Sequence, residues 1–150
     1  MARKRAAVRS FVLDCSVVMA WYFVDEADPY ADGVADSLIS HSATVPALFH
    51  LEIANILVLG ERRKRSTEAQ ASAFLSRLTS LPIRVDDQTV ARAWSDTIAL
   101  ARSHELSIYD AAYLELAVRL KVSIATLDEK LRSAAKGIGV PIFAALSLRP

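Results

Sequence analysis

Short β-forming runs recur along this chain, each followed by a stretch patterned for a helix or a turn. The runs are FVLD (11–14), ATVP (43–46), LPIRV (81–85), VSIAT (122–126) and VPIF (140–143). After the first, Val17, Val18 and Trp21 stand at helical spacing, and DEKLRSAAK follows the fourth. Strands alternating with helices imply a parallel sheet covered on both faces. The expected class is therefore α/β, with a mainly parallel central sheet.

The helical segments carry further expectations. Pro29 to Ser40 reads as a helix weakened by Gly33. ALFHLEIANILVLG is apolar on nearly every face, so it should be largely buried before leaving the core through ERRKR (61–65). Thr67, with Glu68 and Gln70 close behind, starts a helix running to about Ser80. Asp87 begins one long amphipathic helix, QTVARAWSDTIALARSHE, and Ser107 opens another, IYDAAYLELAVRL.

No repeat, linker or low-complexity tract divides the 150 residues, a length that suits one domain with a real core. Residues 1–10 read as a basic extension bearing Arg3, Lys4, Arg5 and Arg9, and residues 11–150 as the domain. Only three apolar residues follow that start before Asp14 interrupts, which excludes a signal peptide. No uncharged apolar stretch reaches the ~18 residues needed to span a bilayer. A soluble, cytoplasmic protein without membrane partners is expected.

With 18 basic and 17 acidic residues the formal charge is +1, so no global basic field advertises nucleic-acid binding, although a local polyanion site stays open. Cys15 is the single cysteine. It excludes intramolecular disulfides and a cysteine-based zinc cluster, and it reads as a small buried hydrophobe. His41, His50 and His104 have no metal-ligand spacing.

Four carboxylates interrupt this pattern. Asp14 closes the first strand, and Glu52 lies within the apolar helix after the second. Asp110 falls in the first turn of IYDAAYLELA, and Asp128 comes two residues after VSIAT. All four belong at or near the carboxyl edge of the sheet, where ligands bind in open α/β folds. Glu52 shares a helical face with Leu48, Asn55, Ile56 and Leu59, and Asp110 with Tyr113, Leu114 and Ala117. Each acid thus points where its helix is otherwise apolar.

Three of the four have a local alternative. Asp14 suits an N-cap, Ser107-x-x-Asp110 resembles a capping box, and Asp128 suits a cap in competition with Thr126-x-x-Glu129. Glu52, in mid-helix, has no capping role. Two like charges ~4 Å apart cost about 4 kcal/mol at an effective dielectric near 20. Gathered acids therefore raise their pKa values or recruit cations. With only oxygen ligands on offer the suitable cations are hard, Mg²⁺ or Mn²⁺, and such a cleft suits phosphate chemistry.

FVLDCS, PALFHLEIAN, LSIYDAAYLELA and IATLDEKL, in this order and spacing, resemble the PIN-domain family, in particular the VapC-type ribonuclease toxins of toxin–antitoxin pairs. The resemblance spans roughly residues 11–143. It implies a three-layer α/β/α domain acting as a Mg²⁺- or Mn²⁺-dependent endoribonuclease. By similarity Asp14 and Asp110 are metal ligands, with Glu52 and Asp128 completing the catalytic acidic pocket. Ser16 and Thr126 match hydroxyl positions beside the metal, and Asn55 a polar position near Glu52. The resemblance also implies an RNA substrate, a homodimer and a cognate antitoxin that inserts a segment into the active-site groove.

Arg62, Arg63, Lys64 and Arg65 form the densest basic run. It suits either phosphate contact or the negative end of a helix dipole. A receiver domain would need adjacent acids near the first strand, and a haloacid-dehalogenase-like phosphatase would need Asp-x-Asp where Ser16 stands. The remaining alternatives are a PIN fold kept as a non-catalytic interaction module and a housekeeping RNA-processing nuclease.

Overall fold

The computed structural model describes residues 9–146. Four parallel strands, β1 (Arg9–Leu13), β2 (His41–Pro46), β3 (Ile83–Asp86) and β4 (Ile124–Ala125), form one sheet in the order β3-β2-β1-β4. Phe11, Val12 and Leu13 of the central strand are wholly buried, as a strand covered on both faces requires. The chain steps outward from β1 to β2 and β3, then crosses to β4 on the other side of β1. Direction reverses beside β1, and the crevice beyond its carboxyl end is the ligand position of such a sheet.

Helices flank the sheet in the expected α/β/α arrangement: α1 (Cys15–Tyr22), α2 (Pro29–Ser37), α3 (Leu48–Arg62), α4 (Glu68–Thr79), α5 (Thr89–Arg92), α6 (Ile98–His104), α7 (Ile108–Leu120) and α8 (Glu129–Gly137). Local chemistry fixes their starts. Asp28 caps α2 through the N–H groups of Tyr30 and Ala31, with Pro29 in the first turn. Thr67 and Gln70 form a reciprocal capping box on α4. Helix α7 lies against β1 and β2, and α1 lies against α2 and α3.

Four expectations change in detail. Strand β1 begins at Arg9, so Arg9 and Ser10 pair with β2 instead of standing in an extension; Arg3, Lys4 and Arg5 lie outside the described residues. Helix α3 buries one stripe, Phe49, Ile53, Leu57 and Gly60, while Leu51 is 76% exposed and Val58 is also exposed. Its apolar composition therefore exceeds what the core of one chain covers. The long helix after Asp87 is interrupted by a π-helical segment, Ala93–Thr97, between α5 and α6. The wider turn shifts the helical register and leaves Trp94 94% exposed. Residues 140–143 contribute a single parallel bridge, Ile142 to Ile124, in place of a full strand.

Beyond that bridge the chain runs across α2. The Tyr30 hydroxyl donates to the Phe143 carbonyl, and the Leu146 N–H donates to Ser37 Oγ, both at 2.8 Å. Gly33 permits this path, since a Cβ there would sit 2.8 Å from the Leu146 carbonyl oxygen.

Candidate active site

Asp14 immediately follows β1 and occupies the N-cap position of α1, yet its side chain caps nothing. It is only 5% exposed. Its Oδ2 accepts from the Ser16 hydroxyl at 2.6 Å and from the Thr126 hydroxyl at 2.8 Å. A hydroxyl has one hydrogen, so with both hydrogens spent on Asp14 the 3.2 Å approach of Ser16 Oγ to Thr126 Oγ1 is a contact between acceptors. Each hydroxyl in turn accepts from main chain. Leu127 N–H donates to Ser16 at 2.9 Å, and Asp128 N–H donates to Thr126 at 3.0 Å. The ends of β1 and β4 are thereby tied together around one buried carboxylate.

Glu52 lies one turn into α3 and is half-buried. Its Oε1 accepts from the Tyr113 hydroxyl at 2.7 Å. Asp110 stands in the first turn of α7, one turn before Tyr113, on a helix capped by Ser107. Asp128 does cap α8, accepting from Leu131 N–H at 2.8 Å, as its local alternative foresaw. Thr126 serves Asp14, and no Thr126–Glu129 capping box forms.

The acids act on one another. Burial pushes the Asp14 carboxyl above the usual range, its hydroxyl partners Ser16 and Thr126 pull it back, and the charge of Asp128 raises it further. Glu52 is raised first by burial, then by the charges of Asp14 and Asp110, against the lowering effect of Tyr113. Asp110 is raised by burial and by Asp14 and Asp128, while Ser107 and Lys130 oppose the shift. Among the described residues no ion pair neutralises any of the four, since the salt bridges all lie elsewhere.

A fifth acid on this edge is different. Asp86 ends β3 but is held bidentately by Arg119, at 3.0 and 2.8 Å, which lowers its pKa.

Uncompensated carboxylates with only oxygen donors fit a hard cation. Among the described residues no three metal-ligating side chains converge closely enough to enclose one. Mg²⁺ is commonly held by one or two carboxylates, with waters and substrate phosphate completing its shell, so an open set of acids suits it.

The remaining expected site residues divide. Ser16 and Thr126 join Asp14. Asn55 is exposed on α3 and makes no hydrogen bond to Glu52, whose partner is Tyr113. Arg62, Arg63 and Lys64 are exposed at the end of α3. Arg65 pairs with Asp25 and Glu26 and lies 3.8 Å over the Phe23 ring.

Tyr113 was legible only as a residue on the face of Asp110, and Cys15 only as a small hydrophobe. Cys15 is buried, its thiol pKa is pushed far up by burial, and Sγ lies 3.1 Å from the Tyr113 hydroxyl. The three-residue spacing from Asp110 to Tyr113 was the available signal.

Known proteins resemble this chain in sequence and in fold. The PIN domain family model matches residues 11–137. Ribonuclease VapC3 of Pyrobaculum aerophilum is 31% identical over 121 residues, 80% of this chain and 90% of the relative. The crystal structure of PAE2754 from Pyrobaculum aerophilum superposes with a TM-score of 0.64 at 25% identity, over 87% of each chain.

Proposed function

This chain belongs to the PIN-domain family, within its VapC ribonuclease type, and on that premise we propose that it is a Mg²⁺- or Mn²⁺-dependent endoribonuclease, the toxin of a toxin–antitoxin pair. The observation that carries the reading is the set Asp14, Glu52, Asp110 and Asp128. Burial and neighbouring carboxylates raise the affinity of Asp14, Glu52 and Asp110 for protons, and none of the four acids forms an ion pair among the described residues.

Asp14 and Asp110 would hold the ion, with Glu52 and Asp128 beside them. A divalent ion bound there supplies neutralisation of the phosphodiester and a water of lowered pKa. Ser16 and Thr126 fix Asp14 by occupying its Oδ2. Glu52 and Asp128 would orient that water or hold a second ion recruited with the RNA. Hydrolysis by external water breaks the P–O3′ bond, and the 3′ oxygen leaves with a proton. The products are a 5′-phosphate and a 3′-hydroxyl, without a 2′,3′-cyclic phosphate.

Arg62, Arg63 and Lys64 are exposed and form no ion pair among the described residues, so they are available to RNA phosphates. Arg65 serves chiefly to anchor the end of α3 to the turn at Asp25 and Glu26. A cognate antitoxin and a homodimer belong to the same reading. Leu51 and Trp94 give exposed apolar surface for such contacts. No described helix is long and apolar enough to cross a membrane.

The test is cleavage of a total RNA pool by antitoxin-free protein, with Mg²⁺ or Mn²⁺ against EDTA, and with Asp14→Asn purified in parallel. Discrete 5′-phosphorylated fragments that need metal and vanish in the variant are expected. Cleavage that survives EDTA, or cyclic-phosphate ends, would refute the mechanism. No cleavage by folded, metal-loaded protein would favour a non-catalytic interaction module.

A further inference from the structure

Glu52 reaches the acidic pocket on a side chain with three rotatable bonds, from a helix that shows only one buried stripe. Such a carboxylate does not keep one position unless something holds it. Here Tyr113 holds it. Tyr113 is wholly buried in α7, and its hydroxyl donates to Glu52 Oε1 at 2.7 Å.

That hydroxyl has a single hydrogen, which goes to Glu52, so toward Cys15 it acts as acceptor. The buried thiol therefore donates to Tyr113 across 3.1 Å. The chain of bonds runs one way: Cys15 S–H to Tyr113 O–H to the Glu52 carboxylate. Its members come from α1, α7 and α3, next to Asp14, one turn from Asp110, and at Glu52 respectively.

We infer that Tyr113, oriented by Cys15, is a positioning residue that locks the Glu52 carboxylate into register with Asp14 and Asp110. The inference rests on the metal-nuclease reading above and adds to it the part that sets the geometry of the pocket. A Tyr in this place does more than fill the core. A Phe fills the same volume and leaves Glu52 free to rotate, and partners of a ligand typically alter metal affinity roughly 10–100-fold.

The experiment measures the effect of Tyr113→Phe on Mn²⁺ affinity, by titration calorimetry, in the wild-type and Glu52→Gln backgrounds. With native near-ultraviolet circular dichroism retained, Tyr113→Phe is expected to weaken Mn²⁺ binding by roughly tenfold or more. In the Glu52→Gln background the same change should add little, because the residue acts through Glu52. Cys15→Ala, which leaves the ring untouched, should produce a smaller loss in the same direction, and Cys15→Ser should restore binding.

Unchanged Mn²⁺ affinity in Tyr113→Phe, or an equal loss in both backgrounds, would overturn the inference. Should the wild type itself bind no Mn²⁺, the nuclease reading falls, and Tyr113 is judged separately by carboxyl ¹³C resonances of metal-free protein. In that case a Glu52 resonance that moves in Tyr113→Phe supports the lock, and one that stays in place refutes it.

Discussion

The Thr126 hydroxyl donates to Asp14 Oδ2 at 2.8 Å across 112 residues of sequence, joining the ends of two adjacent parallel strands. Thr126 is wholly buried, and its oxygen also accepts the Asp128 N–H. Thr126→Val keeps the shape and removes both bonds. A buried carboxylate then loses a donor and a backbone N–H loses its acceptor, at about 1–3 kcal/mol. Urea unfolding at neutral pH should show this loss, whereas Ser16→Ala, nearer the surface, should cost less. Equal stability of Thr126→Val and wild type would show that water replaces the hydroxyl at no cost.

Asp14 is expected to serve metal binding at the expense of folding. It is buried without a cationic partner among the described residues, so Asp14→Asn removes an uncompensated charge. The metal-free variant should melt no lower than the wild type. Mn²⁺ at 100 times its Kd should raise wild-type stability by about 2.7 kcal/mol and leave the variant unmoved. RNA cleavage should fall by more than the roughly 100-fold that a change outside the ligand shell can cost. Thermal melts with and without Mn²⁺ check both halves, and a variant that melts well below wild type would identify Asp14 as a structural residue.

Much of this arrangement is written in short-range pattern, and the exceptions share a cause. The parallel sheet follows from β runs spaced by helices, and the acids stand out because each breaks an apolar context. Asp28, Thr67, Ser107 and Asp128 announce helix starts through local chemistry. What periodicity does not encode is tertiary. Composition made α3 look buried all round, but Leu51 and Val58 face outward, because burial depends on what packs against a helix. The π segment at Ala93–Thr97 has no Pro or Gly to mark it. Asp86 and Asp14 both end strands, and only the position of Arg119 separates a paired acid from an unpaired one. Tyr113 was hidden because a hydroxyl on an apolar face gives no hint of its partner 61 residues away.

Gly33 was expected to weaken its helix, and the fold supplies the reason it stands there. Gly33→Ala would gain up to about 1 kcal/mol of helix propensity in isolation. In this fold the added Cβ meets a backbone carbonyl at 2.8 Å and the Ala145 Cβ at 3.0 Å. Main chain cannot rotate aside as a side chain does, so residues 143–146 must lift. The variant should lose about 1–3 kcal/mol, and the amide of Leu146, bonded to Ser37, should exchange its hydrogen faster. Unchanged exchange at Leu146 would mean that α2 moves instead.

Asp86 provides the acid limb of stability. Arg119 holds its folded pKa below the ordinary carboxylate value of 3.8, so the folded state binds its proton less readily than the unfolded chain. Its contribution is therefore complete above that value and is lost as pH falls through the lowered folded pKa. Asp86→Asn should destabilise at pH 7 by about 1.5–3 kcal/mol, the range for hydrogen bonds to a charged group. The gap to wild type should narrow below about pH 4. Denaturation at pH 7 and pH 3 tests this, and a gap that widens toward acid would reverse the assignment.

Arg119 also holds Glu115, which is 2% exposed, through bonds of 2.8 and 3.2 Å. Arg119→Met would leave that carboxylate buried and alone, a change that typically costs about 3–5 kcal/mol. Most of this cost belongs to the stranded charge, since a Met side chain still covers the apolar surface that the Arg stem covers. Adding Glu115→Leu to Arg119→Met removes the charge and places an apolar side chain beside Leu100 and Val118, which line the adjoining cavity. The double variant should therefore be more stable than Arg119→Met alone, since Asp86 loses the same partner in both. The reverse order, a double variant weaker than the single, would show that Glu115 has a second partner and that α7 depends on it independently of Arg119.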